Sequence, residues 1–135
     1  MGSYEVVTIV LPCARTMILM AARAEILVVC TGNVCRSPFT ERLLRAGLAA
    51  QWGAVAADVL VHSAGTRALA GRTMHELTSQ QLSLYGGNAK SFTARQLQPE
   101  MTRAATLVLA LTRDHRVPIV EGHPAAARIT FTLRE

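Results

Sequence analysis

A cysteine at position 30 and an arginine at position 36 are the residues of this chain whose types and spacing suit chemistry. They lie in "VVCTGNVCRSPFTERLL", positions 28–44. An apolar run ends on Cys30, a loop follows, and a helical pattern begins at Ser37-Pro38. A loop that closes on a helix N-terminus turns several backbone N–H groups inward. The helix dipole adds a partial positive charge, so anions bind there. Successive N–H groups form such a nest when some residues take the left-handed backbone conformation, which Gly32 and Asn33 tolerate best. Arg36 adds a planar fork matched to two oxygens of a phosphate. A thiol at the start of the loop is favoured there as the thiolate, the nucleophilic form. Ser37 can donate a hydrogen bond to that sulfur. Taken singly, Cys30 reads as a small core residue and Gly32-Asn33 as an ordinary turn. The ordered set of strand, Cys, Gly-Asn, Arg, Ser-Pro and helix is far more specific.

Such a loop must be held by flanking elements, and these alternate along the chain. "EILVVC" is a short, bounded, β-branched run that predicts a buried strand. Ser37–Gln51 predicts a helix with Phe39, Leu43, Leu44 and Leu48 as its apolar stripe. Pro38 sits in its first turn, where a missing N–H costs nothing. "DVLVHSAGT" predicts a second strand and turn. Residues 73–85 predict a helix that stops at Gly86-Gly87. "TARQLQPEMTRA" predicts a shorter helical piece broken near Pro99. "ATLVLALT" predicts a third strand, Arg113–Val120 a short helix, and "RITFTL" a fourth strand. Strands separated by helices imply βαβ units and a parallel sheet. Ligands in such folds sit off the carboxyl ends of the strands, where Cys30, Ser63 and Thr112 all fall.

The 135 residues suffice for one domain. Half are apolar but only 4% are aromatic, so the core must be built from Ala, Val, Leu and Ile. The net charge is +5, and of the 14 basic residues only Lys90 is not arginine. The arginines are scattered rather than striped with aromatics, which argues against a nucleic-acid surface. Three cysteines (Cys13, Cys30 and Cys35) do not make a disulfide scaffold. Cys30 and Cys35 lack a second Cys/His pair at zinc spacing, and His62, His75, His115 and His123 are isolated in sequence. A reducing cytoplasm is the expected setting. Residues 1–24 read as an extension before a domain spanning 25–135. Pro12, Arg15 and Arg23 interrupt their apolar stretches, so no membrane span is expected.

"VCTGNVCRSP" resembles the signature of the low-molecular-weight protein tyrosine phosphatases, whose loop and fold are shared with one class of arsenate reductases. The resemblance continues in order through "SAGT" at Ser63–Thr66, Gly71, "YGG" at 85–87, "ARQL" at 94–97 and "LVLALTRDH" at 107–115. It implies a three-layer α/β/α sandwich on a four-stranded parallel sheet, flavodoxin-like, of order 2-1-3-4. It implies that Cys30 attacks phosphorus and forms a cysteinyl-phosphate. Arg36 and the amides of Thr31, Gly32, Asn33, Val34 and Cys35 would bind the oxygens, with Ser37 beside the sulfur. Asn33 and Ser63 would hold the loop shape. No metal or cofactor is implied. The implied substrate is a phosphotyrosine protein or a small aryl phosphate, and phosphate or arsenate would occupy the same loop. Cys35 matches a cysteine that in the family can form a reversible disulfide with the nucleophile.

One expected part is missing from the pattern. The family's general acid is an Asp followed by Pro, after the fourth strand. The two aspartates here, Asp58 and Asp114, do not precede proline. The expectation is therefore a domain truncated after its fourth strand, lacking the C-terminal helix. Two alternatives stay open: an arsenate reductase using a low-molecular-weight thiol, and a catalytically weak anion-binding module. Specificity is expected from loops flanking the pocket, among them Gln51–Ala57 with Trp52.

Overall fold

The structure is a computed structural model, and it describes residues 23–133. The predicted extension lies almost wholly outside the described residues. Four parallel strands form one sheet: β1 (Ala24–Cys30), β2 (Val59–Gly65), β3 (Leu107–Ala110) and β4 (Thr130–Thr132), in the order β2-β1-β3-β4. The expected order 2-1-3-4 and the layered α/β/α architecture are both found.

β1 is central, and its run of apolar residues follows from burial on both faces. Leu27 and Val29 point to one side, with Val108, Ala110 and Ile119. Val28 and Cys30 point to the other, with Val61 and Leu111. Helix α1 (Arg36–Trp52) covers this second face through Leu44 and Leu48. Arg45 also clamps α1 to β2 by donating to the Val61 carbonyl at 2.6 and 2.8 Å. The first face carries Met101 of α3 (Pro99–Ala104) and Ile119 of α4 (Arg113–Gly122). Helix α2 (Glu76–Leu84) stands beside α1. Its Leu82 packs with Met74 and Phe92 against Phe39 and Val34 of the loop and first turn of α1.

Two element expectations are corrected. The helix predicted over 73–85 starts only at Glu76, with His75 as its cap. Residues 73–75 are drawn away because the His75 N–H donates to the Val34 carbonyl at 2.8 Å. Residues 94–97 are extended rather than helical, and Gln96 bridges Gly65 beyond the end of β2. Leu97 donates to the Gly65 carbonyl (2.8 Å), and Gly65 donates to the Arg95 carbonyl (3.0 Å). The helix begins only at Pro99, in the position where proline is tolerated.

Candidate active site

The loop between β1 and α1 is turned inside out relative to ordinary backbone. The carbonyls of Cys30, Thr31, Gly32 and Val34 bond outward, and that of Cys35 starts the α1 ladder. Cys30 accepts from Thr66 N–H (2.9 Å), Thr31 from Arg67 (3.0 Å), Gly32 from Leu69 (2.9 Å), Val34 from His75 (2.8 Å) and Cys35 from Phe39 (3.0 Å). With the carbonyls committed outward, the N–H groups of Gly32, Val34 and Cys35 meet no acceptor among the described residues. Successive free N–H groups of this kind can form an anion nest. Only Asn33 takes the left-handed conformation, with φ of 57°. Gly32, expected to share that role, does not. The glycine that the geometry demands is Gly65, because a Cβ there would collide with the Thr31 carbonyl.

Cys30 is 2% exposed at the floor of the nest. Its sulfur lies 2.9 Å from the Ser37 hydroxyl and 3.4 Å from the Asn33 N–H. Behind it runs a buried relay of polar groups. The Asn33 amide donates to Ser37 Oγ (2.8 Å) and to Ser63 Oγ (2.9 Å). Its carbonyl oxygen accepts from the Arg95 N–H (2.9 Å). Ser63 in turn donates to Glu41 Oε1 (3.3 Å). Both protons of the Asn33 amide and its oxygen are thus engaged, as a fully buried amide requires. The donor directions are consistent along the chain: Ser63 accepts from Asn33 because Glu41 takes its proton. Ser37 likewise accepts from Asn33, and its hydroxyl proton has two acceptors in reach, the Cys30 sulfur at 2.9 Å and the Ala64 carbonyl at 3.5 Å.

Glu41 is only 3% exposed, and its charge is matched by Arg42 at 2.9 Å and Arg45 at 3.7 Å. The sequence reading missed it. The signal was present: Ser37, Glu41 and Arg45 follow at i, i+4 and i+8, so one helix face carries a polar stripe toward the loop. Gln96 was also missed. It accepts from Ala68 N–H and donates to the Thr66 carbonyl, both at 2.8 Å, and so fixes the turn after β2.

Above the nest lies a pocket of about 500 Å³. Thr31 and Arg36 form one wall, Thr66 and Arg67 another, and Asp114 with His115 a third. Arg36 is exposed and has no carboxylate within ion-pair distance among the described residues. Of the residues named in advance for the loop, Thr31 and Arg36 line this pocket, while Cys30, Asn33, Ser37 and Ser63 form the buried relay. The expectation for Trp52 is corrected. Trp52 ends α1 roughly 24 Å from the loop, at 1.5 Å per residue. It lines a separate apolar groove with Leu109 and Leu133. The segments that flank the pocket are the turn at 66–67 and the start of α4 at 112–115.

His115, read as isolated, is a buried wall residue. The Thr112 N–H donates to its Nδ1 (3.2 Å), and its Nε2 lies 2.9 Å from Thr31 Oγ1. Thr112-x-x-His115 is a capping box with His in place of the usual Glu or Gln. Burial and the nearby Arg36 charge hold the His115 imidazole below its ordinary pKa, with Asp114 opposing. Burial and Arg95 act in the same direction on His62, against Glu25 and Glu41. No group of three or more metal-ligating side chains converges among the described residues. None of their helices is long and apolar enough to cross a membrane.

This arrangement is a buried thiol set beneath a loop with inward-facing N–H groups on a parallel α/β sheet. The model of the low molecular weight phosphotyrosine protein phosphatases matches residues 25–134, and the chain belongs to that family. The low molecular weight protein-tyrosine-phosphatase Etp of Escherichia coli K12 is 38% identical over 91 residues, 67% of this chain and 56% of Etp. A protein-arginine-phosphatase of Geobacillus stearothermophilus is 38% identical over 111 residues, 82% of this chain and 70% of that protein. The crystal structure of the tyrosine phosphatase AmsI of Erwinia amylovora superposes with a TM-score of 0.72 at 32% identity, covering 83% of this chain and 69% of that one. The chain thus spans less than two thirds of Etp.

Proposed function

We propose that the chain hydrolyses phosphate monoesters of the phosphotyrosine type through a phosphoryl group held on Cys30. The observation that carries this reading is the Cys30 sulfur at the floor of the nest, with Ser37 and Asn33 both presenting donors to it. The thiolate attacks phosphorus, the S–P bond forms, and the P–O bond breaks with its electron pair leaving on the phenolate. The inward N–H groups and Arg36 hold the equatorial oxygens, where charge gathers in the transition state. Water then attacks phosphorus, the S–P bond breaks, and phosphate leaves. The Ser37 hydroxyl eases that second step by stabilising the departing thiolate. Asn33 and Ser63 keep the loop in shape. A cytoplasmic setting belongs to the same reading, since a working thiol needs a reducing compartment.

The test is turnover of p-nitrophenyl phosphate, whose phenolate departs without protonation, by the chain and its Cys30→Ser variant. The variant is expected to lose activity by between roughly 10⁴- and 10⁶-fold. Equal activity in the two would remove Cys30 from the chemistry.

A second substrate class has its own support. The Geobacillus relative is named an arginine phosphatase. Asp114, the carboxylate that lines the pocket, could meet the cationic guanidinium of a phosphoarginine. Comparing rates on phosphotyrosine and phosphoarginine peptides, with and without Asp114→Asn, separates the two.

A further inference from the structure

We propose that His115 is a positioning residue that turns the hydroxyl of Thr31 into an additional donor for the bound oxyanion. This rests on the phosphate-cradle reading above and specifies one wall of it. Two Thr112 groups face His115 Nδ1: the backbone N–H at 3.2 Å, which can only donate, and the Oγ1 hydroxyl at 3.0 Å, which can donate as well, so Nδ1 is the acceptor and carries no proton. In the neutral ring the proton is then on Nε2, which donates to Thr31 Oγ1 at 2.9 Å. Thr31 Oγ1 receives that bond, and its own proton must point elsewhere. Among the described residues no protein acceptor takes it. Thr31 and His115 line the same pocket as Arg36, so the hydroxyl proton is available to an oxygen held in the cradle.

The other groups facing the ring fit a neutral His115. Arg36 stands across it, Asp114 precedes it on α4, and Arg67 lines the opposite wall. A second ring proton on Nδ1 would end the bond from the Thr112 N–H, leave Thr112 Oγ1 as its acceptor, and add to the cationic charge of Arg36. The capping bond that starts α4 and the orientation of Thr31 therefore depend on the same tautomer. Sheet geometry makes the link possible. Thr31 follows β1 and Thr112 follows β3, and these strands are paired neighbours.

The experiment titrates inorganic phosphate into the full chain by calorimetry at neutral pH. Thr31→Val is expected to weaken binding by about tenfold, the scale of one hydrogen bond to a charged group. His115→Leu should weaken it similarly, and the double variant should be no weaker than either single one. Thr31→Ser restores the hydroxyl and should restore affinity. His115→Gln should also restore it, because the amide can accept from Thr112 and donate to Thr31. If His115→Leu fails to fold, the Thr31→Val and Thr31→Ser pair still decides the matter. Unchanged affinity in Thr31→Val, with binding lost in Arg36→Ala, would overturn this inference and leave the cradle standing. Absence of phosphate binding in the wild type would overturn both. Additive losses in the double variant would show that His115 does not act through Thr31.

Discussion

The floor and the rim of the pocket are built on opposite rules. On the floor, Cys30, Ser37, Asn33, Ser63 and Glu41 are nearly or fully buried, and their polar atoms are engaged with one another. At the rim, Arg36 is exposed, and Arg67 and Asp114 line the opening. A buried polar group without a partner costs more than its hydrogen bond contributes, so the floor must satisfy itself before any ligand arrives. A guanidinium in water carries no such penalty and can wait for an anion. The contrast teaches that the floor holds the shape of the site and the rim supplies its contacts to what is bound.

Substitutions at the two levels should therefore fail in different ways. The largest effect after loss of the nucleophile is expected at the boundary. Arg36→Ala should lower kcat/KM by about 10²–10³-fold with little change in Tm, since it removes a transition-state contact and no buried bond. Arg36→Lys should recover only part, because a point charge does not reproduce the bidentate fork. A floor change should show first in stability. Glu41→Ala should cost about 2 kcal/mol in denaturant unfolding, because Ser63 loses its charged acceptor and two arginines lose their counter-ion. A floor variant with normal stability and lost activity would break the comparison.

The pH dependence sharpens it further. His62 and His115 both have folded pKa values held below the ordinary value of 6.5. Such groups bind fewer protons folded than unfolded as the pH drops. Their contribution to stability is complete above about pH 6.5 and is lost as pH falls through the folded values. Unfolding midpoints should decline below that point, and His115→Gln should decline less steeply. The smallest effect is expected at the outer rim, where Arg67→Ala should change kcat/KM by only a few-fold, on the scale of an exposed charge.

How much of this was legible in the sequence follows the same division. The loop from Cys30 to Ser37 is contiguous, so spacing alone exposed the thiol at the strand end, the loop and the helix start. The parallel sheet followed from the alternating pattern, and the strand order from the family resemblance. What stayed hidden were contacts between segments far apart in the chain. His115 meets Thr31 across 84 positions, and Arg95 meets Asn33 across 62. Only the pairing of β1 with its two neighbours brings those residues together. The 94–97 segment looked helical by composition, yet edge bonding to Gly65 drew it into an extended form. Trp52 looked like a pocket residue because a helix hides its length in a string of letters.

If the Cys30 sulfur takes the phosphoryl group, acid-quench mass spectrometry of the chain mixed with p-nitrophenyl phosphate will catch it there. A burst of p-nitrophenolate close to one equivalent of protein is expected, with a phosphoryl group on the peptide that carries Cys30 and none in Cys30→Ser. Turnover with no phosphoryl group on Cys30 at any quench time, and equal turnover by Cys30→Ser, would contradict it.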